Sequence, residues 1–467
     1  MKVKNAHISS PRIGRRALLR GALATSALGV ASPYIFVPKI GRAQTAIRGT
    51  VKHLLYIRLS GGFRFPVAFN SAVAEQFNPF GTAPGVPSGV DWGVGKLLSR
   101  APYLEGDAGQ ALRNAGMRPV HQLADQMAVI PCVDHEPTAA GADGNHGSGL
   151  ERYYTGYSNG DVGFFTMINY GIRQRVADAT AMGELLLPAF VLGGAGMGRG
   201  IGTYAAYRPP VLSGTGFDDF GLQDEGFPGW AKSLVANTDT RYRDRRHIAL
   251  RDQVQGYIDT REATAAYADI FNSDALKVSN GSDESVDGMS NAELENIFGD
   301  SGTARDIRLA LRLFHFGSPA VYLDQGGYDM HSGEEDGLPP RFDELNRLIS
   351  ALFVALKKLK HPSGGSYYDH TLVAFGSEFS RTARGSRFNS ARGSDHNSDR
   401  STRWMSMPFF GAGIRGGASL GETRKDDLEA MGTVYSYRSV LKTLLDALGC
   451  DHSEFFPADQ PFTDLFG

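Results

Sequence analysis

Cysteine is almost missing from this chain of 467 residues: only Cys132 and Cys450 occur. No disulfide framework can therefore hold the fold, and stability must come from a hydrophobic core. An excess of charge of one sign is missing too. With 48 Lys and Arg against 50 Asp and Glu, the formal net charge is −2, which argues against nucleic-acid binding driven by global charge and leaves room only for a local basic patch. There is no internal repeat and no low-complexity tract, the many glycines being spread through turns. Beyond residue 43 no stretch approaches the ~20 continuous apolar residues that a membrane-spanning helix needs. What the chain does have is apolar side chain, 42% of its residues, enough for a large core.

The N-terminus reads as an export signal. Gly14-Arg15-Arg16-Ala17-Leu18-Leu19-Arg20 carries adjacent arginines, and the short apolar run Gly21 to Val30 follows, then Gly41-Arg42-Ala43 with small residues where a signal peptidase cuts. Pro33 and Pro38 interrupt the apolar stretch and disfavour a membrane anchor. Residues 1–43 are thus expected to engage the twin-arginine translocase, leaving 424 residues as a periplasmic or secreted protein without a transmembrane segment. That route carries folded proteins, so the fold forms in a reducing compartment without a Cys132–Cys450 bond, although the two can pair after export. It also suits a protein that loads a metal before leaving.

Short apolar runs at Val51 to Leu59, Met127 to Val133, Leu186 to Leu192, Pro319 to Leu323, Thr371 to Phe375 and Met407 to Phe410 predict β-strands. Helix-like stretches lie between them. The clearest is Arg341 to Lys360, where Phe342, Leu345, Leu348, Ile349, Leu352, Leu356 and Leu359 keep three-four spacing. Alternation of this kind predicts an α/β fold, a doubly wound and mostly parallel sheet flanked by helices. Residues from about 211 to 300 break the pattern with acidic, serine-rich and charged segments. They read as a partly helical, partly mobile insertion in a single domain spanning 44–467.

Polar clusters come after several of these strands: Gly61-Gly62, Asp134-His135, Asp329 with His331, Glu378 with Arg381, and, in a later loop, Asp395-His396. In open α/β sheets the carboxyl ends of the strands converge on one crevice, so these groups can meet. Asp329 and His331 occupy alternate positions where an extended chain points both the same way, which lets a carboxylate and an imidazole address one ion. A hydrogen-bonded Asp–His turn would look alike. Glu378 can serve as a third ligand and Arg381 as a fork for a phosphate- or sulfate-like group, or the two can simply pair. Arg384, Arg387, Arg392, Arg400 and Arg403 share the nearly apolar-free stretch around Asp395, favouring an anionic partner over a merely solvated loop. Upstream, Asn145-His146-Gly147-Ser148 precedes a helix expected over Leu150 to Tyr157. Ser148 is there either a nucleophile, with His146 beside it, or an N-cap.

In Gln325-Gly326-Gly327-Tyr328-Asp329-Met330-His331, Ser377-Glu378-Phe379-Ser380-Arg381-Thr382 and Gly393-Ser394-Asp395-His396, the chain resembles an exported bacterial family, domain of unknown function 1501. The resemblance covers residues from about 51 to 450. It implies the alkaline-phosphatase and sulfatase superfamily, with Asp329, His331, Glu378, Asp395 and His396 as metal ligands. Many relatives have Gly-Gly-x-Asp-Gly after the first strand, whereas this chain has Gly61-Gly62-Phe63-Arg64-Phe65. The site then holds one ion, or Arg64 stands in the second position as a fixed cation. The sulfatase signature Cys-x-Pro-x-Arg is absent, which speaks against a formylglycine nucleophile.

These readings converge on a metal-dependent hydrolase of a phosphate or sulfate ester, with Ser148, His146, Arg381 and Arg64 as catalytic candidates and an anionic small molecule or glycan as partner. A histidine-carboxylate set suits zinc or manganese, while carboxylate-rich sites also accept calcium or magnesium. The alternative is a non-catalytic envelope protein that keeps a degenerate hydrolase fold and binds an anionic glycan or a protein.

Overall fold

A computed structural model gives the structure of the chain and describes residues 49, 51–135, 146–182, 186–212, 229–245, 251, 270–381, 396 and 404–467. The expected export signal 1–43, Asp395, and Arg384, Arg387, Arg392, Arg400 and Arg403 lie outside the described residues. The chain divides into two units, residues 1–38 with 222–268 and residues 39–221 with 269–467. In the first, a helix covers Gly229–Asp244, with Arg241 and Arg243 in its last turn complementing the helix dipole.

The second unit is built on one eight-stranded sheet: β1 (His53–Leu59), β2 (Met127–Asp134), β3 (Phe190–Leu192), β4 (Val211–Leu212), β5 (Ala320–Gln325), β6 (Thr371–Gly376), β7 (Trp404–Gly411) and β8 (Tyr435–Ser436). Their spatial order is β8-β2-β7-β6-β1-β5-β3-β4. All neighbours are parallel except around β7, which runs antiparallel to both β2 and β6. The sheet is therefore mixed and mostly parallel, as the alternation predicts. Of the expected insertion, residues 211–212 form its edge strand and residues 270–300 belong to this unit.

Central parallel strands are covered on both faces and so read as continuous apolar runs. β1 is buried at every position. One face packs Tyr56 and Tyr322 against α1 (His146–Thr155), α2 (Phe164–Gly171) and α5 (Tyr437–Ala447) through Tyr153, Phe164, Phe165 and Tyr437. The other face meets α3 (Gly302–His315) and α4 (Glu334–Lys358): Phe314 lies against His53, and Phe353 stacks on Phe410 at 4.3 Å. All seven apolar residues at three-four spacing between Phe342 and Leu359 are buried.

α4 begins seven residues before the expected Arg341. Pro339 and Pro340 lie inside it, where proline ordinarily ends a helix. Three acids, Glu334, Glu335 and Asp336, occupy its first turn and suit the positive end of the dipole, and buried Glu334 is paired with buried Arg64. No described helix is long and apolar enough to cross a membrane. Cys132 and Cys450 are both free and buried, Cys132 beside the Glu422 carbonyl and Cys450 beside that of Ile168.

Candidate metal centre

β1, β5 and β6 end at the same edge of the sheet, and glycine lets the segments beyond them close together. Gly61 and Gly62 adopt φ of +116° and +76°, a region that L side chains rarely enter. A Cβ on Gly61 would come within 2.4 Å of the Asp329 nitrogen, and one on Gly62 within 1.9 Å of the Phe379 ring. The Gly61 peptide is thus clasped from both sides. Its N–H donates to Glu378 Oε1 at 2.9 Å, and its carbonyl accepts from Arg381 Nε at 2.8 Å.

His146 arrives from the first turn of α1. Gly149, one turn on, faces Phe379 and the Glu378 carbonyl, where an added Cβ would stand 3.0 and 3.1 Å away. This close approach places His146 Nδ1 3.1 Å from Glu378 Oε1 and His146 Nε2 3.4 Å from Asp329 Oδ1. Nε2 is buried and has no hydrogen-bond partner among the described residues. His396 stacks on Phe379 with ring centroids 4.8 Å apart and meets the His146 ring at 4.7 Å. One donor atom from each of His146, Asp329 and His396 lies within 4.8 Å of the other two. Two imidazoles and a carboxylate at that spacing, with one imidazole nitrogen buried and lacking a hydrogen bond, fit a divalent cation.

The electrostatics keep the acids ionised. Burial pushes Glu378 up, but the His146 hydrogen bond, Arg58 and the Gly61 N–H outweigh it and hold the carboxyl below its ordinary value. Burial also raises Asp329, and Arg381, His146 and His331 reverse the balance. His146 is raised, first by its hydrogen bond to Glu378, with burial opposing and Asp329 assisting.

The remaining expected site residues fall at different distances from this centre. His331 Nε2 lies 3.3 Å from Asp329 Oδ1 and 3.3 Å from Arg381 Nη2, outside the trio. Arg381 is wholly enclosed and donates to Asp329, so its guanidinium braces a ligand candidate instead of facing solvent. Ser148 is half-buried within the first turn of α1, which starts at His146, so it does not cap that helix. Arg64, expected as a fixed cation, is 2% exposed, and its guanidinium binds Glu334 and the carbonyls of Phe77 and Gln76. At the strand ends, His135 is buried and its carbonyl accepts from Arg152 Nε at 3.0 Å.

Two contributors went unread. Arg58, a charge inside the apolar β1 run, makes a two-pronged pair with its cross-strand partner Asp324 at 2.8 and 3.1 Å and stands 4.0 Å from Glu378 Oε2. Phe379 forms an apolar floor against both imidazoles of the trio. The signal for Arg58 was there, since a guanidinium in a buried strand demands an acid nearby.

A search of curated proteins finds no match. A solved alkaline phosphatase from the Antarctic bacterium TAB5 is similar over 86% of this chain and 99% of that chain, at 10% identity and a TM-score of 0.32. Residues 106–463 match the family described as protein of unknown function (DUF1501), and the chain belongs to that family.

Proposed function

We propose that the chain is an exported metal-dependent hydrolase of a phosphate or sulfate ester, built on an alkaline-phosphatase-like fold and carried outward by the twin-arginine translocase. The observation that supports this reading is the approach of His146, Asp329 and His396 at the ends of the strands. Their donor set suits zinc or manganese, and three protein ligands leave a position open to substrate or water. A divalent ion held there supplies Lewis-acid polarisation of the ester and a more acidic water. The chain's own residues do the rest. Arg381 braces Asp329, Phe379 packs against both imidazoles, and Ser148 near the positive end of α1 is the candidate nucleophile, with water as its alternative.

One observation favours the second reading, an envelope protein that binds an anionic glycan or a protein partner without turnover. Both arginines expected to neutralise a transferring group, Arg64 and Arg381, are buried and bonded to Glu334 and Asp329. The deciding experiment is elemental analysis of the exported protein, and then aryl phosphate and aryl sulfate hydrolysis with zinc, manganese, magnesium or calcium. Bound metal and turnover that both vanish in His146→Ala support the hydrolase. Bound metal without turnover of either ester class favours the binding protein.

A further inference from the structure

Glu378 stands among the metal ligands when the sequence is read alone, and the geometry points to a different task. Its Oε1 already takes the Gly61 N–H at 2.9 Å and faces His146 Nδ1 at 3.1 Å. The two nitrogens of an imidazole point to opposite sides of the ring, so an oxygen that receives Nδ1–H cannot share an ion with Nε2 of the same ring. The side chain is 2% exposed, and Glu378 is absent from the trio of converging donors.

We propose that Glu378 is a positioning residue that holds the proton of His146 on Nδ1 and so presents the Nε2 lone pair to a metal; this rests on the metal reading above. Two carboxylates compete for that proton. Asp329 is 3.4 Å from Nε2, without hydrogen-bond geometry, half exposed and already paired with Arg381. Glu378 is nearer, hydrogen-bonded and enclosed. Behind it, Arg58 is held by Asp324 and by Tyr154 Oη at 3.2 Å, so the carboxylate's counter-charge is itself fixed. The order is then Asp324, Arg58, Glu378, His146, running across the strand ends from β5 through β1 to α1. A carboxylate that orients a ligating imidazole in this way typically contributes about 10- to 100-fold in metal affinity.

The test uses the full chain with zinc as the probe. Nitrogen-15 resonances of His146, recorded without metal at alkaline pH, should show the Nδ1–H tautomer. Glu378→Gln should bind zinc about 10- to 100-fold more weakly at unchanged saturating stoichiometry, whereas His146→Ala should lose the stoichiometric site. Loss of the site in Glu378→Gln equal to that in His146→Ala would make Glu378 a ligand and overturn the proposal. So would unchanged zinc affinity, or an Nε2–H tautomer in the unsubstituted protein. If the unsubstituted protein binds no zinc, the metal reading fails by itself, and the tautomer alone still decides whether Glu378 positions the ring.

Discussion

At the end of the sheet opposite the candidate centre, His53 opens β1 and offers a measurable pH dependence. Its Nδ1 lies 2.8 Å from the Ser318 carbonyl, and its Nε2 3.1 Å from His361 Nε2. His361 Nδ1 accepts from the Ser363 N–H at 3.1 Å, which leaves His361 to donate from Nε2. Both rings are accordingly neutral. Burial, with nearby His361, His370 and Lys52 assisting and the Ser318 carbonyl opposing, lowers His53 from 6.5 to about 3. Burial also lowers His361, to about 4. The folded pKa lies below the unfolded one, so stability from His53 is complete above pH 6.5 and is lost as the pH falls toward 3. At 1.36 kcal/mol per unit, this shift corresponds to about 5 kcal/mol in total and about 1.4 kcal/mol per pH unit between pH 6 and 4.

His53→Asn keeps a donor for Ser318 and removes the titration. At pH 7 it should destabilise the protein by about 1–3 kcal/mol through lost packing against Phe314 and Tyr367. As the pH falls to 4, the gap should close by about 3 kcal/mol, so that the variant matches or exceeds the parent. Unfolding midpoints of the two proteins, compared at pH 7, 6, 5 and 4, read this directly. A gap that stays constant across the series would refute the reasoning, because His53 would then titrate alike in both states.

Gly62→Ala should lower the unfolding midpoint by about 2–5 kcal/mol equivalent, combining positive-φ strain with a Cβ 1.9 Å from the Phe379 ring. An unchanged midpoint would show that Phe379 yields freely. Replacing Arg15 and Arg16 together by lysine should retain the protein in the cytoplasm with its fold intact. Undiminished periplasmic recovery would remove the export reading.

Much of the sheet was legible because its central strands are buried on both faces, which makes β1, β2, β5 and β6 readable as apolar runs with polar clusters at their ends. β4 and β8 escaped notice: at two residues each, they carry no period to detect. The start of α4 was hidden behind Pro339-Pro340, and the Arg64–Glu334 pair that marks it joins residues 270 positions apart. The same non-locality governs the site. Asp329, Glu378, Arg381, His146 and His396 could be named from local pattern, but which atom faces which depends on Gly61, Gly62 and Gly149 letting three segments touch. Arg64 and Arg58 show the limit most plainly. Both are arginines near the end of β1, and only the fold reveals that the second, not the first, stands behind Glu378.

The reversed direction of β7 has a consequence for how such a protein diversifies. Because β7 runs against β6, the chain leaves one and enters the other at the same edge, the edge that carries the candidate centre. A parallel partner would have required a crossover over one face of the sheet. The connection over 377–403 is therefore spared a crossover, and it starts and finishes at the edge where Glu378, Arg381 and His396 stand. Relatives of this chain are thus expected to vary in the length of this connection sooner than in the strands that flank it.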